Sequence, residues 1–153
     1  MNSKIVTFTK TCLDIIFVLS ILGTLACPYL IKVYSMHQRA NQYARIDQNY
    51  LLLCILFMIA GFLGILILYE LRKMMKSVQK EDCFIYENVT SLRKMGTYAF
   101  LISIDMSLRV FTYITPSILL IVFTFLIAGL FSKVLALVFE QAVQYKLEND
   151  MTI

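Results

Sequence analysis

The sequence predicts an all-α fold: an integral membrane four-helix bundle, one domain over residues 1–153, with a cytoplasmic amphipathic helical connector between spans two and three. Three observations lead there. Of the 153 residues, 59% are hydrophobic and the mean hydropathy is +0.75, well above the roughly 45–50% apolar usage of soluble domains. The apolar residues fall into four runs, about 11–33, 50–70, 96–113 and 116–138. Each approaches the ~20 residues that cross roughly 30 Å of hydrocarbon at ~1.5 Å per residue. The charges, Lys+Arg 14 against Asp+Glu 10, gather between the runs. That pattern suits anionic lipid headgroups, and no basic face with interleaved aromatics points to direct nucleic-acid binding.

The first run contains Pro28, which frees the carbonyl of Thr24 and should kink the helix. Asp14 follows Lys10 by four residues, so the two can pair on one helix face; a proton-binding carboxylate is the other reading. "GTLAC" ending at Cys27 is a poor lipoprotein box, with Thr24 where leucine is wanted, and the run is too long for a signal peptide. It is expected to be retained as a span. In the polar segment 34–49, Tyr34, Tyr43 and the following Tyr50 read as interfacial anchors, with His37 exposed beside them.

The second run carries Ala60 and Gly64 four apart, a spacing that lets helices approach closely in lipid. Beyond Glu70 the helical pattern persists, apolar at Leu71, Met74, Met75 and Val78 and basic at Arg72, Lys73, Lys76 and Lys80, as an interfacial amphipathic extension. "KEDCF" interrupts it, and a short helix is expected over 85–95 before the third span. "NVT" at Asn88 matches a glycosylation acceptor, but a basic connector belongs in the cytoplasm, so it is discounted.

The third run carries charge. Tyr98, Ile102, Asp105, Arg109 and Thr112 share one helical face, and a charge at bilayer centre costs on the order of 2.5–3.5 kcal/mol on insertion scales. Acid before base at i,i+4 allows mutual neutralisation. The stripe is therefore either an internal salt bridge that fixes helix docking or a polar site for a ligand, proton or partner helix. The last run starts at Thr115 and Pro116, a good cap and first residue, and nothing breaks its helix before Lys146. Thr124, Ala128, Ser132 and Ala136 form a ridge of small residues for packing within the bundle or across a homo-oligomer. Lys133 lies beside it and can snorkel.

With both termini inside, the cytoplasmic face gathers Lys4, Lys10, Arg72, Lys73, Lys76, Lys80, Arg93, Lys94 and Lys146, against Lys32, Arg39 and Arg45 outside. The asymmetry places both termini in the cytoplasm of a multi-pass protein. Cys12, Cys27, Cys54 and Cys83 form no CxxC and have only His37 as an imidazole partner, so no metal site and no cofactor is expected. Cys27 and Cys54 fall at similar depth; a pairing is open, against the reading of all four as small buried residues.

Two stretches carry a family resemblance. In "CFIYENVTSLRKMG", Phe84, Asn88, Leu92, Arg93 and Gly96, and in "VFEQAVQYKLENDMTI", Phe139, Leu147, Glu148, Asn149, Asp150, Thr152 and Ile153, the chain resembles short bacterial membrane proteins known as domain of unknown function 2975. The resemblance implies four spans in the plasma membrane, no catalytic activity, and often a small helix-turn-helix regulator encoded alongside. It directs attention to Phe84, Asn88 and Arg93 in the connector and Glu148, Asn149, Asp150 and Ile153 in the tail as contacts for a cytosolic partner.

Three function classes remain. A noncatalytic regulator or scaffold would hold that partner, such as a small helix-turn-helix protein, at the membrane through connector and tail (139–153). A small proton-coupled transporter or exporter subunit would use Asp105 with Arg109. A membrane thiol oxidoreductase would need a CxxC that the sequence lacks.

Overall fold

A computed structural model describes residues 3–38, 50–80, 82–110 and 116–151. Thr112, Thr115, Tyr43, Arg39, Arg45, Asp47, Thr152 and Ile153 lie outside these residues, as do the side chains of Tyr34, His37 and Asp150. The described residues form four helices: α1 (Ser3–Gln38), α2 (Tyr50–Gln79), α3 (Tyr86–Val110) and α4 (Pro116–Met151). Three of them, α1, α2 and α4, are long and apolar enough to cross a membrane, by length and composition. α3 is not of that class, because Asn88, Arg93, Lys94, Asp105 and Arg109 interrupt its apolar residues.

The helices pack in series: α1 on α2, α2 on α3 and α3 on α4, with no other extensive pairing among the described residues. α3 is thus sandwiched, and it carries most of the buried residues, among them Val89, Leu92, Ala99, Ile102 and Met106. α1 and the outer faces of α2 and α4 keep large apolar side chains exposed, for example Leu25, Phe62, Ile127 and Phe131. Exposed apolar surface of that extent marks a lipid or protein contact face.

Helix boundaries differ from the sequence expectation in one informative place. The predicted short connector helix and third span are a single helix, since nothing at Gly96 breaks it. Gly96 instead provides a close approach: a Cβ there would meet Lys133 Cγ at 3.0 Å and the Gly129 carbonyl at 3.1 Å, and one at Gly129 would meet the Phe100 ring at 3.1 Å. On α4 the buried or half-buried positions include Ile118, Val122, Phe125, Gly129, Ser132, Ala136, Phe139 and Val143 in steps of four and three, the spacing of a helix–helix seam. Ser132 and Ala136 belong to it, while Thr124 and Ala128 are exposed. Between α1 and α2 the close approach falls at Gly61, whose Cβ would meet Thr24 Oγ1 at 2.6 Å, whereas a Cβ at Gly64 would meet nothing within 4 Å; Ala60, one turn before, is half-buried.

Candidate functional site

The chemistry-bearing side chains collect at one end, where α2 finishes, the 80–85 turn crosses and α3 begins, with the second half of α4 alongside. Ser77 anchors the turn: its carbonyl accepts from the amides of Lys80 (3.1 Å) and Asp82 (3.2 Å), closing carbonyls that the end of α2 leaves open. Asn88, 2% exposed, clasps the other side. Its Nδ2 donates to the Cys83 carbonyl at 2.7 Å and its Oδ1 accepts from Ser77 Oγ at 2.8 Å. Ile85 offers no capping side chain, so Asn88 does the work of fixing the start of α3.

Two turns before Ser77, Glu70 of α2 is 5% exposed. Ser91 Oγ donates to its Oε2 at 2.7 Å, and Lys94 Nζ lies 3.5 Å from Oε1. A buried carboxylate is tolerated only with such partners. Arg72, two residues later, donates from Nε to Asp14 Oδ1 of α1 at 2.7 Å and stacks 4.6 Å above the Phe17 ring. Asp14 therefore bonds across helices to Arg72, where sequence spacing had offered Lys10. A guanidinium on a neighbouring helix supplies both a bond and ring contact.

The α3–α4 side is cross-linked in the same way. Arg93 Nη2 donates to Glu140 Oε2 at 2.7 Å, Lys133 Nζ to Thr97 Oγ1 at 2.8 Å, and buried Ser132 Oγ to the Leu92 carbonyl at 2.8 Å. Lys146 reaches Asp82 at 2.8 Å and Phe139 meets Phe84 with ring centroids 5.4 Å apart. The segment read as a tail is thus the last turns of α4, held against the turn through Phe139 and Lys146 and against α3 through Glu140, with Tyr145, Leu147, Glu148, Asn149 and Met151 exposed.

The Asp105 stripe lies further along α3. Asp105 is 7% exposed and its Oδ2 has no hydrogen-bond partner among the described residues, while the Arg109 guanidinium sits 4.5 Å above the Phe57 ring of α2. Tyr98 is half-buried on the same helix. All four cysteines are free thiols, and no cluster of metal-ligating side chains occurs among the described residues.

Sequence reasoning singled out Phe84, Asn88, Arg93 and the Asp105 stripe. It missed Glu70, taken only as the end of a span, and Glu140. The available signal was a carboxylate inside a helix that stays periodic on both sides of it. A family described as "Protein of unknown function (DUF2975)" matches the chain over residues 34–153. No curated protein and no solved structure matches.

Proposed function

The chain belongs to the DUF2975 family, and from that premise we propose that it is a noncatalytic regulator or scaffold of the bacterial plasma membrane that holds a cytosolic partner. In this reading α3 crosses the bilayer beside α1, α2 and α4 as a fourth span, both termini are cytoplasmic, and the polar end forms a cytoplasmic head.

The observation that carries it is the overhang of α4. Its 36 residues extend ~54 Å, against roughly 30 Å of hydrocarbon. Beyond Glu140, which pairs with Arg93, the helix runs on to Met151 and in this reading stands clear of the bilayer. There Tyr145 and Met151 are 70% and 79% exposed. Apolar side chains on a rigid helix standing in water suit a protein contact, and the Lys146–Asp82 and Arg93–Glu140 pairs hold that helix in place. A small helix-turn-helix regulator is the partner the family resemblance favours. A homodimer through the exposed Thr124 and Ala128 is compatible with the same arrangement.

Co-purification from mild detergent tests it. The intact chain should retain a protein that is lost on removing residues 148–153 or on Tyr145→Ser with Met151→Ser. A chain that retains nothing, with a truncation silent in the cell, refutes the proposal. A second reading, a proton-coupled transporter, is favoured by one observation: the Oδ2 of buried Asp105 has no hydrogen-bond partner among the described residues, and in this reading it is an ionisable group at span depth. It requires Asp105→Asn to abolish flux, and undiminished flux removes that residue from consideration.

A further inference from the structure

Between the last turns of α2 and the start of α3 lies a groove of about 410 Å³, within the roughly 300–1,000 Å³ range of ligand sites. Its lining includes Arg72, Lys73, Lys76 and Lys80, with Glu87 as the one acid among them. Arg72 is engaged by Asp14 at 2.7 Å, and Lys73 meets Glu87 only at 3.9 Å. Lys76 and Lys80 form no ion pair among the described residues. Cations gathered around a concavity repel one another unless an anion joins them.

The face of α2 that leads into this groove says which anion fits. Ile59, Phe62, Leu66, Tyr69, Lys73, Lys76 and Lys80 follow in alternating steps of three and four, one continuous stripe. It is apolar and exposed up to Phe62 (60%), passes through Tyr69 (56%), and is basic beyond. Tyrosine at such a boundary sits at headgroup level. An apolar stripe, an interfacial tyrosine and a cationic groove, in that order along one helix, match the acyl chain, glycerol region and phosphate of a phospholipid.

The geometry points to this groove as a binding site for the phosphate of an anionic phospholipid, held by Lys73, Lys76 and Lys80 while an acyl chain lies along Phe62 and Ile59. The site rests on the membrane placement given above and is independent of any cytosolic partner. Headgroup attraction supplies affinity, as interfacial basic clusters do, and the stripe supplies orientation.

Binding is read by melting the intact, detergent-purified protein by circular dichroism during titration with phosphatidylglycerol, phosphatidylcholine or inorganic phosphate. Phosphatidylglycerol should raise the melting temperature saturably and phosphatidylcholine should not. Lys73→Gln, Lys76→Gln and Lys80→Gln together, all at exposed positions, should weaken the effect on the order of a hundredfold. Lys4→Gln with Lys32→Gln, cations away from the groove, should leave it unchanged. Equal protection by phosphatidylcholine, a triple variant that binds like the parent, or saturation by inorganic phosphate at the same concentration would each overturn the lipid assignment; the last would make the groove a soluble-anion site. Loss of a cytosolic partner with the lipid response intact would bear on the scaffold reading alone.

Discussion

Glycine-to-alanine substitution tests the packing with one chemical change at sites that differ only in surroundings. In a helix interior alanine is favoured over glycine by about 0.8–1 kcal/mol. At Gly64 the added methyl meets nothing within 4 Å, so Gly64→Ala should stabilise by up to about that amount. At Gly96 the methyl meets the Gly129 carbonyl at 3.1 Å and Lys133 Cγ at 3.0 Å, and at Gly129 it meets Phe100 at 3.1 Å and the Gly96 carbonyl at 3.2 Å. The Lys133 stem can swing aside, but the carbonyls belong to helices that must part by a few tenths of an ångström. Overpacking of this kind costs about 1–3 kcal/mol, so after the propensity gain each variant should be less stable than the parent by up to about 2 kcal/mol. Gly61→Ala meets Thr24 Oγ1 at 2.6 Å and Cγ2 at 2.8 Å, and Thr24→Ala in the same chain should restore most of the loss. Unfolding by denaturing detergent, followed by circular dichroism, measures all of them. Gly96→Ala and Gly129→Ala as stable as Gly64→Ala would refute the close α3–α4 approach.

Glu70→Ala should cost about 1.5–3 kcal/mol, the range for a charged hydrogen bond, because Ser91 keeps a buried hydroxyl with no acceptor; Glu70→Gln, which still accepts, should cost less in the same titration. A double-mutant cycle on Arg93→Ala and Glu140→Ala should give a coupling of about 0.2–1 kcal/mol that shrinks with added salt, since the arginine side chain is 52% exposed. A coupling above that range would mean the pair is shielded from water.

The helices themselves were legible: apolar runs located all four, and the absence of breakers foretold that α4 continues far beyond a bilayer's thickness. Helix phase was not. α4 is apolar nearly all round, so its hydropathy carries no record of which side meets α3. Small residues recur on more than one face: Thr124 and Ala128 repeat as regularly as Gly129 and Ser132, and Ala60 and Gly64 as plausibly as Gly61. In lipid the packed and exposed faces are equally hydrophobic, and only the neighbouring helix decides between them. The pairs Asp14–Arg72, Glu70–Ser91, Arg93–Glu140 and Asp82–Lys146 were hidden for a related reason: the first three join different helices and the last joins the 80–85 turn to α4, whereas sequence spacing proposes partners on one helix.

In the proposed four-span reading, hydropathy alone misplaces α3. Its low apolar content follows from its place in the series: α2 and α4 cover its flanks, so its polar groups answer to those helices and not to lipid. Ser91 bonds Glu70, and Ser103 donates to the Val122 carbonyl at 3.1 Å. Over 98–110 the residues that remain uncovered are Leu101, Ile104 and Leu108, at 44%, 59% and 54% exposure, one narrow seam at i, i+3 and i+7. A helix in that position needs only such a seam to be apolar in order to lie at bilayer depth. Nitroxides placed by cysteine at 101, 104 and 108 in a cysteine-free chain, reconstituted in bilayers, should relax faster with oxygen than with a water-soluble nickel chelate, with labels at the exposed positions 87 and 90 showing no such preference. Greater accessibility to the chelate along the seam would take α3 out of the membrane and leave three spans.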